Sequence, residues 1–226
     1  MQNTNAQNGL TPLRIKFSKT GDLKFISHLD MMRTLRRAIA RADIPLAYSQ
    51  GFNPHPKLTL LLPLSLGTES ICEYTDIVIC KSDCDKEDIK NRLSCAMPSG
   101  IDVLSVKTPV SEPQKIAYAS YIIKAKAKNG ADTGDYEEYL SNPIFVDKKC
   151  KSGIKSIDIS SRIAEKKITK EGENLIFDVM LAADNENYLN PDLLITGINK
   201  EEKTALDGDI SILRYEILLK DKTVFE

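Results

Sequence analysis

The sequence lacks long apolar runs and a leader-like N-terminus. None of its hydrophobic stretches approaches the 18 or more residues that a membrane-spanning helix needs. The first eight residues have neither the basic flank nor the apolar stretch of a signal peptide. With 226 residues, 42% of them hydrophobic and 28% charged, the chain has the composition of a globular protein. We therefore expect a cytoplasmic protein with no membrane contact.

Several motifs of catalysis and cofactor binding are also missing. There is no phosphate-binding loop, no dinucleotide glycine fingerprint and no zinc helix with paired histidines. The five cysteines are odd in number and irregularly spaced, which favours reduced thiols over a disulfide framework. Cys80 and Cys84 have the spacing that begins a radical S-adenosylmethionine (SAM) cluster motif, but the third position is Glu87. We expect no resident cofactor or metal.

Positive charge is concentrated near the start of the chain. Residues 12–66 contain nine Lys and Arg but only three Asp, whereas the chain as a whole carries a net charge of -1. Both histidines, His28 and His55, lie in this basic segment. A basic region on an acidic body is suited to holding an anionic partner on one face. The alternative is that these charges are simply solvated.

The order of the predicted elements indicates an α+β fold with antiparallel sheets. In the first half, a strand, helix, strand, strand, helix and strand are predicted at residues 13–18, 27–42, 58–62, 73–80, 85–96 and 101–107. The same order recurs in the second half, at residues 118–128, 136–140, 144–147, 175–182, from 190 onward, and 210–219. Tandem ferredoxin-like (βαββαβ) units are the architecture we expect.

These patterns also suggest where the domains begin and end. We expect a disordered tail at 1–11, an N-terminal ferredoxin-like domain with the basic site at 12–107, and a Pro-containing linker at 108–115. A C-terminal ferredoxin-like domain would occupy 116–226, with a lysine-rich insertion at 148–173 that carries its own hairpin. The residues show no repeat between the halves, so the duplication rests on element order.

The first predicted helix has an apolar face and an arginine face. Ser27 is expected to cap it, and Asp30, three residues on, completes a capping-box pattern. Apolar residues recur at helical spacing at Leu29, Met32, Leu35, Ile39 and Ala42. Basic residues occupy another face at Arg33, Arg36, Arg37 and Arg41. Guanidinium groups in such a stripe, with Lys57 nearby in sequence, are suited to phosphates or to an acidic protein surface.

A polar loop follows the helix. Gly51 frees its backbone, and Pro54 and Pro56 stiffen it. Possible recognition groups surround the ring of Phe52, at Tyr48, Ser49, Gln50, Asn53 and His55. Such a loop can stack on an unpaired RNA base and read its edge through hydrogen bonds. The alternative is a rigid connection whose polar groups satisfy its own backbone.

The two histidines suggest a weaker hypothesis. His28, at the helix start, would suit an anionic ligand, and His28, Asp30 and His55 would meet if the loop folded back over the helix. That arrangement could support acid-base catalysis or a metal, whereas a polar contact or packing role is the simpler interpretation.

Three segments, residues 25–33, 46–57 and 62–67, resemble a bacterial family of radical SAM-linked proteins. The resemblance extends from about Leu13 to Leu219, with its specific motifs before Gly67. Members of that family occur beside, or fused to, a radical SAM protein with a cobalamin-type domain. The resemblance implies a stand-alone accessory subunit with a radical SAM partner. Because such genes are often found near ribonuclease and ribosomal-protein genes, it also makes RNA a candidate substrate.

We therefore expect a non-catalytic accessory protein that binds RNA, either tRNA or rRNA, through the basic helix and the polar loop. One rival hypothesis is a protein-interaction module whose basic face docks on the radical SAM partner. Another is an enzyme for a small substrate that uses His28 or His55. The sequence does not indicate an oligomeric state.

Overall fold

The computed structural model describes residues 9–150 and 153–226, apart from the side chains of 148–150. The chain forms two compact units, one ending at Pro113 and including Glu226, the other running from Gln114 to Phe225. The unit boundary falls inside the expected linker, where Pro113–Lys115 forms a 3-10 turn. Most of the expected tail, residues 1–8, lies outside the described residues, and the first strand begins at Thr11.

The described residues of the first unit form four strands and two α-helices. In chain order they are β1 (Thr11–Lys19), α1 (His28–Arg41), β2 (Leu58–Leu61), β3 (Thr68–Ile79), α2 (Lys86–Ala96) and β4 (Val103–Lys107). The strands form an antiparallel sheet in the order β4-β1-β3-β2. Each predicted element of this half is present, although β3 begins at Thr68, five residues before its predicted start.

The core of the first unit lies between the sheet and the two helices. Alternate residues of β1, Leu13, Ile15 and Phe17, are fully buried, as strand periodicity requires. They share one apolar cluster with Leu35 and Ile39 of α1. Truncating a fully buried leucine such as Leu35 to alanine typically costs about 2–5 kcal/mol. This packing fixes the orientation of α1 on the sheet.

In the second unit, the part of the chain that the structure describes forms six strands and two α-helices. In chain order they are β5 (Ile116–Ala127), α3 (Thr133–Tyr139), β6 (Phe145–Cys150), β7 (Gly153–Asp158), β8 (Ile163–Glu171), β9 (Asn174–Ala182), α4 (Pro191–Ile198) and β10 (Leu206–Leu219). An antiparallel sheet has the order β10-β5-β9-β8, and β6 and β7 form a separate hairpin. Both units together give a mixed α/β fold.

The segment expected as an insertion, 148–173, includes a strand of this sheet. Its end, β8, is an edge strand of the sheet and pairs along its length with β9. The strand predicted at 144–147 corresponds to β6, which pairs with β7 in the separate hairpin. Only Ile168 of β8 is buried, and Lys or Glu occupies most of the other positions, as is common on edge strands. The hydrophobic alternation that would have identified β8 is therefore nearly absent from the sequence.

Two further expectations can be compared with the fold. Four cysteines, Cys72, Cys80, Cys84 and Cys95, form no disulfide with one another. Among the described residues, no helix has both the length and the apolar content needed to cross a membrane.

Candidate nucleic-acid interface

Helix α1 presents its arginines to solvent because its opposite face is buried. Met31, Leu35, Ala38 and Ile39 form the buried face. Arg33, Arg36, Arg37 and Arg41 are all exposed. At 100° per residue, the arginines lie on the side of the helix opposite the core. From Arg33 to Arg41 the stripe extends about 12 Å along the helix axis, at about 1.5 Å per residue.

The four arginines differ in their partners. Arg33 forms an ion pair with Asp30 at 2.8 Å, and Arg41 Nη2 donates to the carbonyl of Ala96 at 2.6 Å. For Arg36 and Arg37, we find no hydrogen bond or ion pair with any residue that the structure describes. These two guanidinium groups are therefore free to bind an external anion.

The start of α1 is capped differently from the expected capping box. Ser27 Oγ accepts from the backbone N–H of Asp30 at 3.1 Å, as predicted. The Asp30 carboxylate, however, accepts from the Ser27 hydroxyl at 2.8 Å and from Arg33. The Ser27 hydrogen bond, followed by that of Arg33, lowers the pKa of Asp30 below its ordinary value. Asp30 thus organises the first turn of α1 and holds Arg33.

The two ends of the polar loop are hydrogen-bonded to each other. Tyr48 and Pro56 form an isolated antiparallel bridge, and Ser49 N donates to the carbonyl of His55 at 2.8 Å. In return, His55 N donates to Ser49 Oγ at 2.9 Å. Below the bridge, Lys57 N donates to the carbonyl of Ala47 at 2.8 Å. The residues between 49 and 55 therefore form a projecting loop whose two ends are held together by these hydrogen bonds.

The tip of this loop exposes aromatic surface. Phe52 is 112% exposed relative to an extended reference, and Tyr48 is 55% exposed. Gly51, with φ of +121°, occupies backbone space that residues with side chains rarely adopt. Gln50, Asn53, His55 and Lys57 are also exposed. The loop thus exposes an aromatic ring together with several polar side chains.

The histidines do not come together. His28 lies beside Glu73 and Leu60 at the start of α1, since these residues line one small cavity. His55 lies two residues before Lys57, whose carbonyl accepts from Val78 N at 3.1 Å. Glu73 and Val78 are about 17 Å apart along β3, at about 3.4 Å per residue. His28 therefore lies beside the middle of β3, whereas His55 lies toward the end of β3 at Ile79.

No group of three or more potential metal ligands occurs among the described residues. His28, Asp30 and His55, all of them described, therefore do not form such a group. The loop instead lies toward the end of the unit at which α1 terminates, because Leu46, four residues after the α1 C-cap at Ala42, already bridges to Ile79.

Some basic residues of the N-terminal segment do not contribute to the surface. The Arg14 side chain is 3% exposed and pairs with Asp76, with Nε–Oδ1 at 2.7 Å. Lys19 is also buried, at 3% exposure. Strand alternation alone gave no signal for either, since both faces of β1 are largely buried. The positive electrostatic potential at the surface of this segment is therefore weaker than its number of Lys and Arg residues suggests.

One exposed feature was missed by the sequence reasoning. Phe25, Leu29 and Leu66 are 64%, 66% and 60% exposed. Gly67 N donates to the carbonyl of Lys24 at 2.8 Å, so the segment that carries Leu66 lies against the segment that carries Phe25. We call these three residues the apolar patch. Leu29 was expected in the core, but it precedes Arg33 by four residues and so shares the arginine face.

The chain is thus a mixed α/β protein with antiparallel sheets, and its first unit exposes a basic helix and an aromatic loop tip. It belongs to the family DUF2344, uncharacterized proteins conserved in bacteria, whose model matches residues 12–191. A comparison with curated proteins found no match.

Solved structures give only distant likenesses. A chain of a Cbf5-Nop10-Gar1 complex is 8% identical, with a TM-score of 0.47 over 94% of this chain and 50% of that chain. This protein therefore spans about half the length of that relative. An unknown protein from Galdieria sulphuraria is 10% identical, with a TM-score of 0.27 over 91% of this chain and 98% of that chain. Likenesses at this level carry no argument about function.

Proposed function

We propose that this protein is an accessory protein that binds RNA, either tRNA or rRNA. The binding surface would be the arginine face of α1 and the loop that follows it. The observation that carries the proposal is the solvent exposure of Arg36 and Arg37, without partners among the described residues. The radical SAM-linked family resemblance of residues 25–67 supports an enzyme of that class as the recipient of the RNA.

The chemistry of arginine supports a phosphate partner. A planar guanidinium donates two parallel hydrogen bonds to phosphate oxygens and keeps its charge at every physiological pH. Two such groups one residue apart on an exposed helix can contact successive phosphates of one strand. Each neutralised phosphate releases condensed counterions, so the affinity must fall as salt rises. Arg33 would join them by exchanging Asp30 for phosphate.

We further propose that both units are ferredoxin-like. The strand orders β4-β1-β3-β2 and β10-β5-β9-β8 support this, because each corresponds to the order 4-1-3-2 when the β6-β7 hairpin is set aside. In such a unit the helices cover one face of the sheet. That arrangement leaves the outer side of α1 available to a partner.

The test is the salt dependence of RNA binding. Fluorescence anisotropy with a labelled single-stranded RNA of 20 nucleotides would compare the natural protein with the double variant Arg36→Gln, Arg37→Gln between 50 and 200 mM salt. We expect weaker binding and a log-log slope reduced by about 1.4, at about 0.7 per phosphate contact. Circular dichroism would check that the variant is folded.

A matched control removes two positive charges elsewhere. Lys167 and Lys170 are exposed on β8 of the second unit, so Lys167→Gln with Lys170→Gln changes the net charge equally. The slope should change little in this variant. An equal effect of both double variants, or no effect of the arginine pair, would contradict the proposal.

A second candidate function is protein docking, and the apolar patch favours it. Large apolar side chains that are exposed on adjoining segments, as Phe25 and Leu66 are, are uncommon away from interaction surfaces. The occupant we propose is the radical SAM partner that the family resemblance implies. Aliphatic side chains such as Leu29 and Leu66 offer no stacking surface to RNA, which favours a protein at this position.

Co-purification after nuclease treatment tests the second candidate. A tagged form of this protein, coexpressed with the radical SAM protein of the same organism, should retain it without RNA, and Leu29→Ser with Leu66→Ser should release it. Val110 and Ile154, at 81% and 72% exposure, provide a matched double serine control. Retention by the patch variant equal to that of the control would exclude the patch as the docking site.

A further inference from the structure

The loop between Ser49 and His55 exposes its aromatic ring although its backbone is held in place. Phe52 is 112% exposed, while the bridge between Tyr48 and Pro56 closes the base below it. We infer that this loop stacks Phe52 on an unpaired base of single-stranded RNA and that Ser49 is the positioning residue for the ring. This inference rests on the RNA-binding function proposed above.

A ring presented in this way selects single strands over duplexes. Bases in a duplex are already stacked on both faces, and the major groove of an A-form helix is too deep and narrow for side chains to read. An unpaired base offers a free face, and stacking on an aromatic side chain contributes about 1–3 kcal/mol per base. Phe52, which covers no other part of the protein, gains this contact without losing a packing interaction.

The neighbouring side chains can read the edge of the stacked base. Gln50 and Asn53 are exposed on either side of Phe52 in the sequence, and each carries an amide with donors and an acceptor. The positive φ of Gly51 turns the backbone between them. Stacking is tolerant of sequence, whereas these two amides are suited to a preference among bases.

Ser49 acts on the ring through the backbone. Its Oγ accepts from His55 N at 2.9 Å, and its own N–H donates to the carbonyl of His55 at 2.8 Å. The hydroxyl oxygen of Ser49 therefore takes part in closing the loop. A closed loop restricts where Phe52 can lie, which reduces the entropy lost when a base binds.

The experiment compares two RNA probes and three variants of the full-length protein. The probes are a single-stranded 12-mer with 2-aminopurine at its centre and a blunt duplex of the same sequence. Phe52→Leu keeps an apolar side chain but removes the aromatic face. We expect it to lower affinity for the single strand by about fivefold to a hundredfold. The salt slope and duplex affinity should remain unchanged, and the quenching of 2-aminopurine should disappear.

Ser49→Ala and Ser49→Thr test the positioning role. The alanine variant should weaken single-strand binding and reduce the quenching, whereas threonine, which keeps the hydroxyl, should restore both. Equal behaviour of alanine and threonine would remove Ser49 from the inference. Thermal unfolding of all variants would separate these effects from loss of fold.

Two further outcomes distinguish the inference from the function on which it rests. If Arg36→Gln with Arg37→Gln abolishes RNA binding while Phe52→Leu leaves single-strand binding intact, the proposed function stands and the stacking inference fails. If Phe52→Leu leaves RNA binding intact but releases a radical SAM protein, the loop is a protein contact and the inference is overturned.

Discussion

Arg14 and Asp76 join β1 and β3 through two parallel hydrogen bonds. Arg14 Nε and Nη2 donate to the two carboxylate oxygens of Asp76 at 2.7 and 2.8 Å. Nη1 of the same side chain donates to the carbonyls of Ser111 and Glu226 at 2.8 and 2.9 Å. One buried guanidinium therefore fastens three segments that are far apart in sequence, all within the first unit.

Arg14→Met should destabilise the protein strongly. The Arg14 side chain is buried and that of Asp76 is 26% exposed, and losing hydrogen bonds to a charged group typically costs about 1.5–3 kcal/mol. Chemical denaturation would give the change in the free energy of unfolding. Lys200→Met is the control, because its pair with Asp147 is exposed and should contribute about 0–1 kcal/mol. Similar losses for both variants would contradict the structural role of Arg14.

Arg37 and Arg41 should differ in what they contribute. Arg41 Nη2 is bonded to the carbonyl of Ala96 at the end of α2, so Arg41→Gln should lower the free energy of unfolding by about 1 kcal/mol. Arg37→Gln should leave stability nearly unchanged but reduce the salt slope of RNA binding by about 0.7. Denaturation and anisotropy on both single variants would check this. A larger slope change for Arg41 would reverse the assignment.

Gly100 should not tolerate a side chain. Its φ is +90°, and a Cβ there would lie 2.9 Å from the carbonyl oxygen of Thr20. We expect Gly100→Ala to destabilise the first unit by about 2–4 kcal/mol, since strain of about 1–3 kcal/mol is added to a backbone clash. Gly21, with φ of +63° and nothing within 4 Å, is the matched control. Gly21→Ala should cost about 1 kcal/mol. Thermal unfolding would compare the two.

Asp30 should titrate below the ordinary range of aspartate. The Ser27 hydroxyl and then Arg33 lower the pKa of this carboxyl by bonding its ionised form. A depressed folded-state pKa means that the bonds contribute above the unfolded-state pKa and are lost as pH falls through the folded-state value. Carboxyl NMR should show Ser27→Ala raising the pKa of Asp30 more than Arg33→Gln. The reverse order would place the main cause at Arg33.

Periodicity predicted much of the first unit. The spacing of Leu35 and Ile39 identified the buried face of α1, and Ser27 identified its start, because both signals are local. Leu29 was assigned wrongly to the core. It lies four residues before Arg33 and therefore on the same exposed face of the helix, so helical spacing alone was sufficient to predict its exposure.

The other errors concern a residue whose partners are distant in sequence and a strand at the edge of a sheet. Arg14 was counted as surface charge, although its partners lie up to 212 residues away in sequence, where no local pattern can indicate them. Strand β8 carries lysines rather than alternating apolar residues, so its place in the sheet depends on β9 and not on its own composition. The hydrogen bonds that join the two ends of the loop could not be predicted, because most of them use backbone donors and acceptors, which do not depend on residue type.

The bonds that close the loop use backbone atoms and one serine hydroxyl, and none of them involves the side chain at position 52. The residue at the tip can therefore be exchanged without disturbing the frame that carries it. Substitution of that position by each aromatic and aliphatic residue in turn would give a series of proteins alike in fold and charge. Such a series would isolate the effect of one side chain on partner choice from effects on folding.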